Sequence, residues 1–295
     1  MSSCSWEFAE GDPISDRLTA VSLLGGGSAY EAYLAFDQHL FAPVVVKVVR
    51  PDQTDDASTL SGLERETDMV GALAHPAIVR GFHAVLGGER PHLVLENLDG
   101  PRLSSLVRRH GPMPMQQLLP LGLELASALH YLRERDVVHL DIKPSNIIMG
   151  APPRLIDLSV ARSSAEAARL TSPIGTDAWM APEQCVPGAG AVPGFASDVW
   201  GLGASLFYAA AGYRPFPHED GASDEDDRVA RWPQRSLPPA PLPDRVDPGL
   251  RKAIDACLTA DPDARPTPAE VAGMLEPMLS ALPRPRLAGF KVSMR

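Results

Sequence analysis

The segment His139-Leu140-Asp141-Ile142-Lys143-Pro144-Ser145-Asn146 is a short polar stretch between a long helix-like run and the apolar Ile147, Ile148 and Met149. An acid, a base and an amide at positions 141, 143 and 146 converge on something charged. The order D-x-K-x-x-N reads as a carboxylate to orient a hydroxyl, an ammonium to hold a phosphate and an amide oxygen to hold a metal. By itself the octet also reads as a solvated loop. The rest of the chain decides between the two.

With 295 residues the chain exceeds the usual size of a single core, so one large lobe or two fused lobes are expected. An apolar fraction of 44% and a charged fraction of 22% suit a soluble globular protein. The net charge of -10 argues against a nucleic-acid-binding or polybasic membrane surface. No run approaches the roughly twenty apolar residues of a membrane span. The N-terminus, with Glu7, Glu10 and Asp12, lacks the basic and apolar regions of a signal peptide, so a cytoplasmic protein is expected. Cys4, Cys185 and Cys257 are widely spaced and form no C-x-x-C pair, which fits reduced thiols.

Residues 1–16 are polar and aperiodic and read as a loose lead-in. Three strands are predicted over Leu18–Leu24, Tyr30–Phe36 and Pro43–Val49, and two more over Val79–Leu86 and His92–Glu96. Between them, apolar residues at helical spacing predict a helix over Leu60–Leu73, after a polar loop at residues 52–58. Beyond Asn97 the pattern turns helical: Leu118–Arg133, Asp198–Ala211, Pro248–Leu258, and Thr267–Leu282 with Pro268 at its start. The expected class is α+β and bilobal: a small β-rich lobe with one main helix over 17–97, and a larger, mainly helical lobe over 98–282. The acidic stretch 218–227 reads as a solvated loop or a docking surface for a basic partner, and residues 283–295 as a basic extended tail. No internal repeat is present.

Leu24-Gly25-Gly26-Gly27 joins the first two strands, and glycines there let backbone N–H groups approach a phosphate chain, or simply make a flexible hairpin. Lys47 lies in the otherwise apolar Val44–Val49 and needs a partner, since an unpaired desolvated ammonium is costly. Glu66 on the following helix is the natural candidate, with Glu64 a competitor. Asp157, after apolar Leu155 and Ile156, reads as a strand-end cap, but it stands eleven residues beyond Asn146.

Taken in order over residues 18–282, these stretches resemble a bacterial, eukaryotic-like (Hanks-type) serine/threonine protein kinase. Further segments carry the likeness. His75-Pro76-Ala77-Ile78-Val79 resembles H-P-x-I-V and sets the register on Glu66; Asp157-Leu158-Ser159 stands at D-F-G; and residues 175–183, GTDAWMAPE, resemble G-T-x-x-Y-M-A-P-E. The resemblance implies ATP and Mg2+ as cofactors and a protein substrate. Asp141 would orient the hydroxyl, Lys143 would neutralise the moving phosphoryl group, and Asn146 and Asp157 would hold the metal. It implies nucleotide contacts from Leu24, Gly25, Gly27, Val45, Lys47, Glu66 and Ile148, with Leu95 as gatekeeper and the backbone of Glu96 and Leu98 facing the purine. It also implies that Arg265 pairs with a buried Glu183, that Asp198 braces the octet, and that His139 is structural.

Several residues depart from the family pattern: Tyr30 replaces the third loop glycine, Ala32 a valine, Val45 an alanine and Ser159 a glycine. Leu140 replaces the arginine that elsewhere receives an activation-loop phosphate, so activity is expected to depend weakly on phosphorylation of Thr171 or Ser172. The alternative reading is a catalytically weak pseudokinase acting as a nucleotide-binding scaffold. No attached sensor or anchor is expected, so regulation is expected from a protein partner or from expression; the physiological substrate and oligomeric state stay open.

Overall fold

The computed structural model describes residues 4–188, 190–218 and 231–283. Most of the acidic stretch and nearly all of the basic tail singled out above lie outside them. Five strands, β1 (Leu18–Gly26), β2 (Tyr30–Asp37), β3 (Ala42–Val49), β4 (Gly81–Val85) and β5 (His92–Glu96), form one sheet in the order β1-β2-β3-β5-β4. All its pairings are antiparallel. Helix α1 (Ala57–Ala72) packs on this sheet through Leu63, Glu66 and Val70. It starts three residues before the predicted Leu60, because Asp56 caps it by accepting the Thr59 N–H at 2.7 Å.

β3 explains the small lobe. Its alternation sends Val44, Val46 and Val48 to one face and Val45 and Lys47 to the other. Val45 and Lys47 face the interlobe side, where α1 and the second lobe lie. The opposite valines join Leu18, Ala20, Tyr33, Ala35 and Val94 in a separate cluster closed by Ile14, Trp6 and Phe8. The reading of residues 1–16 as a loose lead-in is therefore corrected for residues 4–16. The Trp6 indole N–H donates to the Val49 carbonyl at 2.7 Å and the Trp6 backbone N–H to Glu31 Oε2 at 3.1 Å. A sheet apolar on both faces requires a cover on both, and this strap supplies the second.

The larger lobe holds α2 (Leu103–His110), α3 (Met115–Glu134), α4 (Ser164–Ala167), α5 (Pro182–Cys185), α6 (Phe195–Ala211), α7 (Pro248–Cys257) and α8 (Pro268–Ala281) among the described residues. Short pairs β6 (Val137–Val138) with β9 (Arg162–Ser163), and β7 (Ile147–Ile148) with β8 (Arg154–Leu155), frame the loops at its top. α3 buries Leu121, Leu125, Leu129 and Leu132, the stripe its spacing predicts. α8 opens on a capping box in which Thr267 and Glu270 satisfy each other's backbone N–H. α6 is buried along nearly its whole length, and Gly201 lets it press against the octet: a Cβ there would lie 2.6 Å from Ile142 Cβ and 2.7 Å from the Ile142 carbonyl oxygen. One apolar core runs from α1 and the lower sheet face through α3, α6, α7 and α8, which fixes the lobes against each other.

Candidate active site

Two groups of charged side chains form under the sheet. In the first, Lys47 Nζ donates to Glu66 Oε2 at 2.6 Å and to Asp157 Oδ1 at 3.1 Å. β3, α1 and the loop after β8 each contribute one residue. Glu64 is exposed on the far side of α1 and takes no part. Burial alone disfavours the charged amine, but the two carboxylates outweigh it and raise Lys47 above the ordinary lysine range. Burial likewise opposes ionisation of Asp157, and the Lys47 charge overcomes it, holding that carboxyl well below its usual range. Asp157 has φ of 68°, an uncommon conformation for a non-glycine residue.

The second group is built on the octet. The Asp141 carboxylate accepts from Asn146 Nδ2 at 3.0 Å, pairs with Lys143 Nζ at 2.7 Å and accepts the Thr176 hydroxyl at 2.8 Å. Lys143 Nζ also lies 2.6 Å from Thr176 Oγ1. The Ile156 N–H donates to the Asn146 carbonyl at 2.9 Å, which draws Asn146 and Asp157 onto adjoining backbone and brings the two groups together. With its NH2 committed to Asp141, the Asn146 amide leaves its oxygen available, and the Asp157 carboxylate could join it in holding a metal. Two hard oxygens suit a divalent cation that keeps phosphate and water as its other ligands.

Support comes from below. Asp198 on α6 accepts the backbone N–H groups of His139 at 2.7 Å and Leu140 at 2.8 Å, fixing a loop in which Leu140 has φ of 66°. His139 is fully buried, burial lowers its pKa, and its Nδ1 accepts the Asp141 N–H at 3.3 Å. It is a neutral packing residue. Arg265 meets Glu183 in a two-pronged ion pair at 2.7 and 2.9 Å.

Around the cleft, Val45 stands opposite Leu95 in the β3–β5 register, and Leu95 is buried. Leu98 packs on the shared core, and Ile148 pairs with Arg154 on the floor. The Glu96 N–H is taken by the Arg80 carbonyl, and its side chain pairs with Arg80 and Arg154. Leu24, Gly25 and Gly27 lie on the β1–β2 hairpin, where Gly25 needs its φ of 138° and Leu24 is half exposed. Arg50 holds the hairpin tip by donating to the Gly27 carbonyl at 2.6 Å.

Residues 18–274 match the protein kinase domain family. The chain belongs to the protein kinase family. Among relatives, the serine/threonine-protein kinase PknB of Mycobacterium leprae is 31% identical over 261 residues, covering 85% of this chain and 41% of its own length. The probable serine/threonine-protein kinase PkwA of Thermomonospora curvata is 34% identical over 258 residues, 86% of this chain and 33% of its own. This kinase chain thus spans about two fifths or less of the length of these curated relatives.

Three members of the kinase site escaped the sequence. Thr176 was legible as part of a motif, not as a ligand of Asp141. Gln184 donates from Nε2 to the carbonyls of Leu140 at 2.8 Å and Ile174 at 3.0 Å, tying the octet to the segment that follows it. Asp177 accepts from Arg231 Nε at 2.8 Å and Trp232 Nε1 at 2.9 Å, anchoring the 176–181 turn to residues 231–235. Each makes a bond to a position over thirty residues away, and no periodicity or spacing signals such a bond.

Proposed function

We propose that this chain transfers the γ-phosphoryl group of ATP to serine or threonine hydroxyls of protein substrates. One observation carries the reading: the Asp141 carboxylate already accepts a hydrogen bond from a threonine hydroxyl, Thr176, and the Lys143 ammonium donates to that hydroxyl's oxygen. A substrate hydroxyl replacing Thr176 there is oriented by Asp141, which accepts its proton late, as the bond to phosphorus forms. The loose transition state asks little of a strong base, so an ordinary carboxylate suffices. Lys143 neutralises charge on the transferred group, and Lys47, steadied by Glu66, holds the α- and β-phosphates. Leu24, Gly25 and Gly27 cover the phosphates. Val45, Leu95, Leu98 and Ile148 enclose the base, and the hinge backbone at Glu96 and Leu98 reads its edge. Asn146 and Asp157 would hold Mg2+, which would supply positive charge to offset that of the phosphates.

The finer reading is an enzyme that needs no activation-loop phosphate. Leu140 is buried with Val138 and Ala167, and Val160, Leu170, Ile174 and Phe195 pack against them. Apolar burial thus supports the segment at the point where a kinase with arginine uses a charge pair.

The test is incubation with labelled ATP and magnesium, alone and with a generic basic protein, beside Asp141→Ala. Label transfer well above the variant is expected. Transfer no greater than the variant's, with ATP binding intact, would instead make the chain a nucleotide-binding scaffold.

A further inference from the structure

Tyr30 opens β2 where the glycine-rich hairpin ends. Its hydroxyl donates to the backbone carbonyl of Thr59, in the first turn of α1, at 2.6 Å. Its ring lies 4.7 Å from Lys47 Nζ, within cation–π range. One turn further along α1 is Gly62, where a Cβ would sit 2.8 Å from the Tyr30 hydroxyl oxygen. A tyrosine on the hairpin, a carbonyl and a glycine on the helix, and the ammonium that pairs with Glu66 therefore form one contact.

We propose that Tyr30 is a positioning residue that latches the glycine-rich hairpin to helix α1 and so keeps Glu66 on Lys47. The helix that carries Glu66 also has to stay against the sheet, and a bond from its first turn to β2 fixes its N-terminal end while Lys47 fixes its middle. The ring adds a face against which the ammonium is held between its two carboxylates. Burial raises the Tyr30 phenol above its ordinary range, so the hydroxyl keeps the proton it donates. Because coupling is reciprocal, a ligand that orders the hairpin also favours the inward position of α1. The catalytic consequence rests on the kinase reading; the latch itself does not.

Hydrogen–deuterium exchange on the full chain without nucleotide tests the latch. In Tyr30→Phe, which keeps the ring, amides of residues 57–72 should exchange about three- to tenfold faster, the effect of losing one hydrogen bond, while those of α3 stay unchanged. Gly62→Ala should also speed α1 exchange despite the better helix propensity of alanine, because its Cβ displaces the hydroxyl. In the Tyr30→Phe background the same alanine has room and should slow exchange. Unchanged α1 exchange in Tyr30→Phe, equal acceleration in α3, or an alanine effect of the same sign in both backgrounds would overturn the latch. In turnover, Tyr30→Phe should lower kcat about threefold or more with KM for the protein substrate unmoved; an unchanged kcat would also count against it. If the wild type transfers no phosphate, the kinase reading fails and the exchange experiment alone judges the latch.

Discussion

Arg265 and Glu183 form a fully buried, bidentate ion pair, with side-chain exposures of 0% and 1%. The same guanidinium donates to the carbonyls of Thr259 at 2.8 Å, Ala196 at 2.9 Å and Ala260 at 3.0 Å, so every edge of it is used. A simple buried pair is often replaceable by apolar residues at little cost, but this one also closes three backbone carbonyls. Arg265→Ala strands both the carboxylate and those carbonyls and should cost about 3–5 kcal/mol. Urea denaturation measures it; a loss below about 1 kcal/mol would show the pair to be dispensable.

The Asp37 carboxylate, at the turn between β2 and β3, is fully buried and receives Arg17 Nε at 2.8 and 2.9 Å, the His39 N–H at 2.8 Å and the Leu40 N–H at 3.0 Å. Burial alone would raise its pKa; Arg17, the two N–H groups and His83 outweigh that and hold it well below the carboxylate range. A carboxyl depressed in the folded state gives stability that is present above its unfolded pKa of about 3.9 and is lost as pH falls below it. Asp37→Asn should therefore cost about 2 kcal/mol at pH 7. Its urea midpoint should fall less steeply than that of the wild type between pH 5 and 3, so the two curves converge in acid. Parallel curves would contradict the assignment.

Cys185 and Cys257 are buried, and burial pushes both thiols up to about 12, whereas Cys4 is exposed. At pH 8 roughly one part in ten thousand of a thiol with such a pKa is thiolate, the reactive form. A chromogenic disulfide reagent should label one cysteine per chain rapidly and the other two only in denaturant. Rapid labelling of a second thiol in the native protein would mean that α5 or α7 opens locally.

Much of this architecture was legible because it is periodic or local. The stripe on α3 and the alternation of β3 follow from repeats of the backbone, and the spacing from Asp141 to Asn146 is local. Lys47 announced its own need for a partner, and the helix that supplies Glu66 follows directly. Helix α2 was missed because its eight residues bury only Leu103 and Val107, too little for a periodic signal. The strap was missed for a different reason: Trp6, Phe8 and Ile14 are irregularly spaced, and their destination is set by the second apolar face of a sheet not yet assembled. Its one sequence signal was the strand Val44-Val45-Val46-Lys47-Val48-Val49, too apolar for a sheet with one wet face.

Thr171 and Ser172 are exposed, just after Ala167 and Leu170 enter the cluster around Leu140. The segment from Val160 to Ile174 is thus anchored on both sides of these hydroxyls: by the apolar cluster, and by Gln184, which bonds Ile174 and Leu140 together. At position 140 a phosphate on residue 171 or 172 meets an apolar side chain in place of a guanidinium. Replacing both hydroxyl residues by alanine should leave kcat within about twofold of the wild type. Leu140→Ala, which opens a cavity under the segment, should cost about 2–5 kcal/mol and lower kcat with it. Loss of activity in the double alanine variant, with an unchanged urea midpoint, would mean that the apolar anchor does not suffice and that a phosphate is read by some other cation.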